Sequence, residues 1–381
     1  MSDSVTINSQ FDGGNIEVID SSDRNNIQLA IRPDEGGEFF QWFNFKLSGE
    51  PGALHQLRIT NAAKASYVDG WHDYQAVASY DRQEWFRLPT RYHNGELLID
   101  LDLQAPQIQI AYFAPYSLER HFDLLAECQS HPYVTLETLG QTLDGRDFSL
   151  MKISSDDKVT NKTKVWVTAR QHPGETMAQW WVEGFLQKLL DPDCARSRQL
   201  LERADVYLVA NMNPDGSHRG HLRTNAKGVN LNREWQTPSM ALSPEVFLTI
   251  EKMKQVGVDF YLDVHGDEGL PYVFIAGGEG IPAWNNDMAK EQACFLDMLS
   301  LSSGEFQTKE GYPKDKPGEA NLTVASNWVG NHFNCLANTL EMPFKDNANL
   351  PDSASGWSLE RSQQLGEDCA NAISLFLQAK S

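Results

Sequence analysis

The sequence places a histidine and a carboxylate three residues apart in the segment His172-Pro173-Gly174-Glu175. A strand predicted over residues 164–169 leads into this segment and a helix follows it, so the turn can direct both side chains to one point. This pair suits two of the three protein ligands of a catalytic zinc, which keeps its fourth position for water. A glutamate in the first turn of a helix also stabilises the helix dipole, so the pair alone does not establish a metal site.

A further histidine, His265, follows the apolar run of residues 258–264. A lone histidine at a strand end has an ordinary structural explanation. It becomes a credible third ligand when His172 and Glu175 end a neighbouring strand of the same sheet, because a His, Glu, His set is a known catalytic zinc site.

Glu341 lies inside the apolar run of residues 337–342. A charge in a buried strand must be paired or functional. A carboxylate with a raised pKa beside water at a metal is the general base that metal-assisted hydrolysis requires.

Arg223, Asn232 and Arg233 lie between these segments in the sequence. Planar guanidinium groups with an amide suit bidentate capture of a carboxylate or stabilisation of an oxyanion. For either arginine alone, a solvated surface position is the simpler interpretation.

The elements that must position these side chains alternate regularly in the second part of the chain. Runs of strand character cover residues 164–169, 206–211, 258–264, 272–275 and 337–342, and runs of helical period cover residues 176–190, 244–255, 286–299 and 358–379. Such alternation predicts an α/β domain with a mostly parallel or mixed sheet, helices on both faces and chemistry at the strand ends.

The first part of the chain has a different pattern. From residue 38 to about residue 113 apolar residues recur with period two between turn clusters, which predicts an antiparallel β-sandwich. Its many aromatic residues could form a carbohydrate-binding face, but aromatics in a small sandwich are more often core. A helix near residues 117–128 connects the two parts, and we predict domains at residues 1–118 and 119–381.

Composition excludes several classes of function. With 32 basic and 52 acidic residues the net charge is −20, so nucleic acid is an unlikely partner. The first residues do not form a basic segment followed by an apolar segment, as a secretory signal peptide does. No apolar run reaches the length of a membrane span. The cysteines are odd in number and scattered, which argues against a disulfide framework; they are Cys128, Cys194, Cys294, Cys335 and Cys369. We expect a cytoplasmic, unexported protein that binds neither nucleic acid nor membrane.

Five ordered segments, HPGET, NPDG, GVNLNR, DVHGDE and TLEMPF, together resemble the zinc metallocarboxypeptidase family. With a preceding β domain that contains FQWFNFKL, the chain resembles its cytosolic carboxypeptidase subfamily, whose eukaryotic members remove glutamates. The resemblance implies an N-terminal antiparallel β-sandwich followed by an α/β/α catalytic domain with a mixed eight-stranded sheet. It also implies a peptide or protein C terminus as substrate and Zn²⁺ as cofactor.

The resemblance also implies a role for each candidate residue. The metal ligands would be His172, Glu175 and His265. Glu341 would be the general base, Asn232 and Arg233 would hold the substrate's terminal carboxylate, and Arg223 would stabilise the oxyanion. Where digestive relatives have an Asp-x-Asn-Arg sequence, this chain has Asn230, so an amide would accept the hydrogen bond from His172. The family's mobile tyrosine is not assigned, although Tyr312 lies in the right general segment.

Side-chain specificity is a separate matter, because residues 234–360 contain no arginine. If the released residue is glutamate, Lys309, Lys314 or Lys316 must supply the positive charge, or an arginine must come from elsewhere in the fold. Lysine is the poorer bidentate partner, so glutamate release is a hypothesis.

Two other functions compete with a carboxypeptidase. One is a related zinc amidohydrolase that acts on an acylated amino acid or a cell-wall peptide, since Asn232 and Arg233 suit either substrate. The other is a binding protein with a vestigial catalytic domain. Vestigial enzymes normally lose a ligand or the base, whereas this sequence keeps all four residues, so the binding protein is the weakest of the three hypotheses.

Overall fold

A computed structural model describes residues 5–155 and 161–380. The first part contains ten strands: β1 (Thr6–Asn8), β2 (Glu17–Asp20), β3 (Ile27–Ala30), β4 (Asn44–Ser48), β5 (Leu54–Ile59), β6 (Val77–Ser79), β7 (Phe86–Arg87), β8 (Thr90–His93), β9 (Glu96–Asp102) and β10 (Gln107–Ala111). Two short 3₁₀ helices cover Ala62–Lys64 and Val68–Trp71.

These strands form two five-stranded sheets, in the orders β1-β4-β10-β6-β7 and β2-β3-β5-β9-β8. Alternate side chains of both sheets, including Phe45, Leu57 and Ile99, are fully buried in one apolar cluster, as a sandwich requires. The predicted antiparallel pairing holds except between β3 and β5, which are parallel. The chain crosses to the other sheet as β4 between these two strands, and such a crossover permits parallel pairing.

The second part contains eight helices and seven strands among the described residues. The helices are α1 (Leu118–Gln129), α2 (Met177–Leu189), α3 (Ala195–Arg203), α4 (Pro214–Arg219), α5 (Pro244–Val256), α6 (Asn286–Ser302), α7 (Ala325–Phe333) and α8 (Leu359–Ala379), and a 3₁₀ turn covers Leu231–Arg233. The strands are β11 (Val134–Gln141), β12 (Asp147–Ile153), β13 (Thr163–Ala169), β14 (Ala204–Val209), β15 (Phe260–Asp267), β16 (Phe274–Ala276) and β17 (Leu336–Pro343).

These strands form one mixed sheet in the order β11-β12-β14-β13-β15-β17-β16. The central pairs β14–β13, β13–β15 and β15–β17 are parallel, and the outer pairs are antiparallel. The α/β class is confirmed, but the described sheet has seven strands where eight were predicted. Beyond the short edge strand β16 the neighbouring segment makes a single bridge, Val273 to Phe306, which is too little pairing to form another strand.

Helices cover both faces of this sheet, as the period-two alternation of its strands demands. Val165 and Val167 of β13 pack in the cluster that contains side chains of α2, α6 and α8, whereas Trp166 between them packs in the cluster that contains side chains of α5 and α7. The first of these clusters continues into the β-sandwich. The domain boundary between residues 118 and 119 therefore stays a prediction, and it falls in the first turn of α1.

None of the described helices is both long and apolar enough to cross a membrane.

Candidate active site

His172, Glu175 and His265 converge, although they come from two different strand ends. One ligand atom from each lies within 4.8 Å of those of the other two, and all three residues are buried. His172 Nδ1 is 2.7 Å from Glu175 Oε1, and His265 Nδ1 is 2.8 Å from Glu175 Oε2. Two imidazole nitrogens and a carboxylate thus face a common point.

The parallel pairing of the sheet explains this convergence. His172 and Glu175 follow β13, and His265 lies near the end of the adjacent parallel strand β15, so both strands deliver ligands to one edge. The turn after β13 begins at Arg170, whose φ of +57° is unusual for a side chain other than glycine. The buried Arg170 guanidinium donates to the Pro173 carbonyl at 2.9 Å and to the Tyr116 carbonyl at 2.8 Å, which fixes the turn.

The far nitrogen of each imidazole has its own partner. His172 Nε2 lies 3.1 Å from Asn230 Oδ1, and His265 Nε2 lies 2.7 Å from Asp263 Oδ2. Partners of this kind hold a ligating histidine in one tautomer and orientation. The pairing with Asn230 is the one expected from the sequence. Asp263 was not anticipated, although its position two residues before His265 on a strand places both side chains on one face.

The donor set fits a zinc ion. Zinc takes neutral imidazole and carboxylate ligands, and burial together with the nearby Arg223 lowers the pKa of His172 to about 4, which keeps that imidazole neutral. Burial alone would raise the pKa of Glu175, but His172 and His265 lower it below its ordinary value, so the carboxylate stays ionised. Burial is outweighed at His265, where Asp263 and Glu175 raise the pKa well above its ordinary value, so a bound ion would displace a proton from this imidazole. With that proton released, His172, Glu175 and His265 offer one anionic and two nitrogen donors at a buried point.

Glu341 stands beside these ligands because β17 pairs in parallel with β15, and this register puts Glu341 opposite His265. Burial raises the pKa of Glu341 well above its ordinary value, opposed by His265 and reinforced by Glu175. Its Oε1 lies 3.3 Å from the hydroxyl of Tyr312, and its Oε2 has no hydrogen-bond partner among the described residues. An acceptor oxygen without a protein partner is available for a proton from substrate or water.

Tyr312 thus lies at the site, although sequence reasoning did not assign it. Its hydroxyl donates to Asp267 Oδ2 at 2.5 Å and lies 3.3 Å from Glu341 Oε1. Tyr312 is 46% exposed and lines the cleft, and its ring packs edge-on against Phe274 with centroids 4.9 Å apart.

Asn232, Arg233 and Arg223 lie on the same cleft, as expected. Asn232 Oδ1 accepts from the Ala325 N–H at 2.8 Å, which fixes the amide. Arg233 donates to the Asn232 carbonyl at 2.7 Å and leaves most of its guanidinium donors free of described partners. The arrangement offers an amide and two guanidinium groups to an anionic ligand.

A cavity of about 1070 Å³ joins these residues. Every predicted site residue lines it except Asn230, which lies behind His172. Five residues of the β-sandwich part, 66–70, also line it. Sequence reasoning missed these five, because nothing in the local sequence of a β domain indicates which of its loops will reach the catalytic part.

Comparison with known proteins identifies related chains. Residues 122–364 match the family model described as zinc carboxypeptidase, and residues 7–113 match the one described as cytosolic carboxypeptidase N-terminal domain. A cytosolic carboxypeptidase 6 of Caenorhabditis elegans is 24% identical over 98% of this chain and 88% of its own.

Two solved structures are similar over almost the full length. The metallo-carboxypeptidase of Burkholderia cenocepacia is 44% identical, with a TM-score of 0.96 over 98% of this chain and 100% of that chain. The metallo-carboxypeptidase of Pseudomonas aeruginosa, solved in complex with (2-guanidinoethylmercapto)succinic acid, is 44% identical, with a TM-score of 0.95 over 98% of this chain and 99% of that chain.

Proposed function

The chain belongs to the zinc carboxypeptidase family, and we propose that it hydrolyses the last peptide bond of a peptide or protein with the residues of this cavity. It is a metallocarboxypeptidase, a hydrolase. The observation that carries the proposed mechanism is the pairing of β15 with β17, which sets Glu341 opposite His265 at the edge of the cavity.

We propose that His172, Glu175 and His265 hold the zinc ion. When bound, zinc supplies a Lewis acid that polarises the scissile carbonyl and acidifies a water molecule. Asn230 and Asp263 keep the two imidazoles oriented through their far nitrogens.

The remaining steps belong to side chains of this protein. Glu341 takes a proton from the attacking water on Oε2, which has no hydrogen-bond partner among the described residues, and passes that proton to the leaving amine. Arg223 donates to the oxygen on which negative charge develops. Asn232 and Arg233 hold the free carboxylate of the substrate, which selects the last peptide bond and positions it.

Glutamate release is the finer hypothesis about the substrate, and it depends on Lys314. Of the three candidate lysines, Lys314 lines the cavity, while Lys309 and Lys316 are not among its described lining residues. Lys314 Nζ already lies 2.7 Å from Glu279 Oε1. A glutamate side chain would have to displace Glu279 from this lysine.

The charges of the cavity wall suit a basic side chain better. Carboxylates outnumber Lys314 on the wall away from the proposed clamp; they are Asp69, Asp267, Glu279 and Asp315, without Glu268, whose pKa burial raises well above its ordinary value. The Pseudomonas relative binds a ligand that carries a guanidino group on succinic acid. A ligand of this type would place its carboxylates near Arg233 and its cationic group among these acids.

A panel of peptides that differ only in the last residue tests both the activity and its specificity. We expect release of the C-terminal residue from peptides with a free carboxylate and none from the amidated forms of the same peptides. Faster release of Lys or Arg than of Glu supports the role of the acidic wall, whereas faster release of Glu supports the glutamate hypothesis. Equal cleavage of amidated peptides would contradict the carboxylate clamp.

The amidohydrolase alternative predicts a different dependence on substrate size. A carboxypeptidase gains activity as the peptide lengthens, because more residues contact the cleft. An enzyme specialised for acylated amino acids loses activity over the same series. We also propose a cytoplasmic location, since the related chains are named cytosolic carboxypeptidases.

A further inference from the structure

The segment that carries Arg223 is fixed by a residue of the β-sandwich part. The Asp34 carboxylate is 2% exposed and accepts four hydrogen bonds from residues 222–224. Its Oδ1 accepts from the Leu222 N–H at 2.6 Å, and its Oδ2 accepts from the Arg223 N–H at 2.9 Å and from the Thr224 N–H and hydroxyl at 2.8 and 2.9 Å. Hydrogen bonds to a carboxylate are roughly twice as strong as neutral ones.

The side chain of Arg223 is also held from the β-sandwich part. The centre of its guanidinium lies 5.7 Å from the centroid of the Phe39 ring and 5.5 Å from that of the Tyr67 ring. Both distances are within the range of cation–π attraction. Within residues 5–155 and 161–380, the guanidinium makes no hydrogen bond or ion pair, so its N–H donors remain available to a ligand in the cavity.

The loop of residues 34–39 in the β-sandwich part also packs against the loop that leads to Asn232 and Arg233. Gly36 packs so closely on Gly228 that a Cβ at Gly228 would overlap the Gly36 carbonyl, and Gly228 also has a φ of +72°. Gly228 immediately precedes the segment with Asn232 and Arg233. The loop of residues 34–39 thus supports both segments that carry the arginines.

We propose that the β-sandwich part completes the active site: Asp34 is a positioning residue for Arg223, and Phe39 and Tyr67 form the aromatic seat of its guanidinium. This inference rests on the proposed function, in which Arg223 donates to the developing oxyanion. Aromatic faces orient a guanidinium without using its N–H groups, so the donors are set in place before the substrate arrives. Donors arranged in advance stabilise transition-state charge without reorganisation.

Kinetics of three variants test the proposal. We expect Asp34→Asn and Tyr67→Ala to lower kcat by about 10-fold or more with KM changed much less, because the interaction with the oxyanion is made in the transition state. Tyr67→Phe keeps the ring and should recover much of the activity that Tyr67→Ala loses. Zinc content should be unchanged in all three. The matched control is Tyr80→Ala, which removes another tyrosine of the sandwich that does not line the cavity.

Chemical rescue tests whether the aromatic seat binds the guanidinium group directly or only supports the fold. Arg223→Ala should lose activity, and added guanidinium ion should restore part of it by binding between the two rings. In the double variant Arg223→Ala, Tyr67→Ala, the same concentration of guanidinium should restore nothing. If both backgrounds are rescued equally, the aromatic seat is wrong. This comparison stands even if Asp34→Asn fails to fold.

The outcomes for the two proposals are distinct. A wild-type protein that releases no C-terminal residue from any peptide contradicts the proposed function itself. An active wild type whose Asp34→Asn and Tyr67→Ala variants keep its kcat contradicts the positioning role alone.

Discussion

The two histidines that face the metal site have different support. Asp263 gives His265 a charged acceptor, and Asp263 is itself held by the Thr168 hydroxyl at 2.7 Å and the Gln171 amide at 2.5 Å. Asn230 gives His172 a neutral acceptor. Because a carboxylate orients an imidazole more strongly and makes it a more basic ligand, Asp263 is the partner on which metal affinity should depend more.

We therefore predict that Asp263→Asn lowers zinc affinity by about 10–100-fold. Competition with a chelator of known affinity measures the change. Asp205→Asn is the control, because Asp205 lies on β14, which β13 separates from β15 in the same sheet, and is bonded to Lys164 and Ser154 instead. Equal affinities for Asp263→Asn and wild type would show that this hydrogen bond does not support the site.

The residues that line the candidate site could be located from the sequence, because the proposed ligands, base and clamp lie in short segments whose residue types indicate their chemistry. The family was also recognised from these segments and is confirmed by the matching family models. Asp34 and Tyr67 could not be found in this way. Each lies more than 150 residues before Arg223 in the sequence, and only the packing of the two parts brings them to it.

At the scale of elements, helix α2 connects the metal site to the rest of the core. It begins directly after Glu175 and packs on α8 through two glycines. A Cβ at Gly184 would overlap the Gln363 carbonyl oxygen, and one at Gly366 would overlap the Trp181 carbonyl oxygen. Glycine at these two positions therefore lets α2 and α8 pack more closely than a residue with a side chain would allow.

We predict that Gly184→Ala destabilises the protein by about 2 kcal/mol or more, since the added methyl group forces the helix backbones apart. Urea denaturation measures the loss. Gly304→Ala is the matched control, because no atom lies within 4 Å of a Cβ built there and it should leave stability nearly unchanged. Equal stability of the two variants would contradict this account of the helix contact.

Helix α5 contains an acid that should make stability depend on pH. Glu245 is 0% exposed and neither carboxylate oxygen has a hydrogen-bond partner among the described residues. Burial, with a contribution from Asp215, raises the pKa of Glu245 to about 8. The folded state thus keeps a proton that the unfolded state loses near its ordinary pKa.

The proton on Glu245 makes its full contribution to the free energy of unfolding at pH values below the pKa that Glu245 has in the unfolded chain. As pH rises from there towards 8, the free energy of unfolding falls by roughly 1.4 kcal/mol per pH unit. Glu245→Gln removes the titrating proton, so its free energy of unfolding should fall less between pH 5 and pH 8 than that of the wild type. Thermal or urea unfolding across this range measures the difference. Parallel pH profiles for the two proteins would rule out this role of Glu245.

Sequence periodicity predicted the elements that position the site residues better than it predicted the strands at the edge of the mixed sheet. The central strands and helices α2, α5, α6 and α8 were found because their apolar runs are long, whereas the shorter helices α3, α4 and α7 were not predicted. The edge hairpin of β11 and β12 was not predicted. Strand β11 is intermediate or exposed along its length, so it lacks the alternating apolar pattern that indicates a strand.

At the scale of the whole molecule, the net charge of −20 acts on every substrate that approaches. The proposed arginines supply positive charge only locally, inside a cleft whose wall is otherwise acidic. An acidic peptide therefore approaches against the field of the protein and a basic peptide approaches with it.

We predict opposite salt effects on these two classes of peptide. When ionic strength rises from about 20 mM to about 200 mM, screening should raise kcat/KM for a peptide with an acidic upstream sequence and lower it for a basic one. The same terminal residue in both peptides keeps the cleaved bond constant. The same direction of change for both would exclude long-range steering by the net charge.

The most direct test of the central claim compares wild type with Glu341→Gln for bound zinc and for release of C-terminal residues. The mechanism predicts about one zinc per chain in both proteins and a rate of release that is about 10²–10⁴-fold lower in the variant. Equal release by the two proteins, or an active wild type that contains no metal, would contradict the claim that a buried zinc site and Glu341 together cleave the peptide bond.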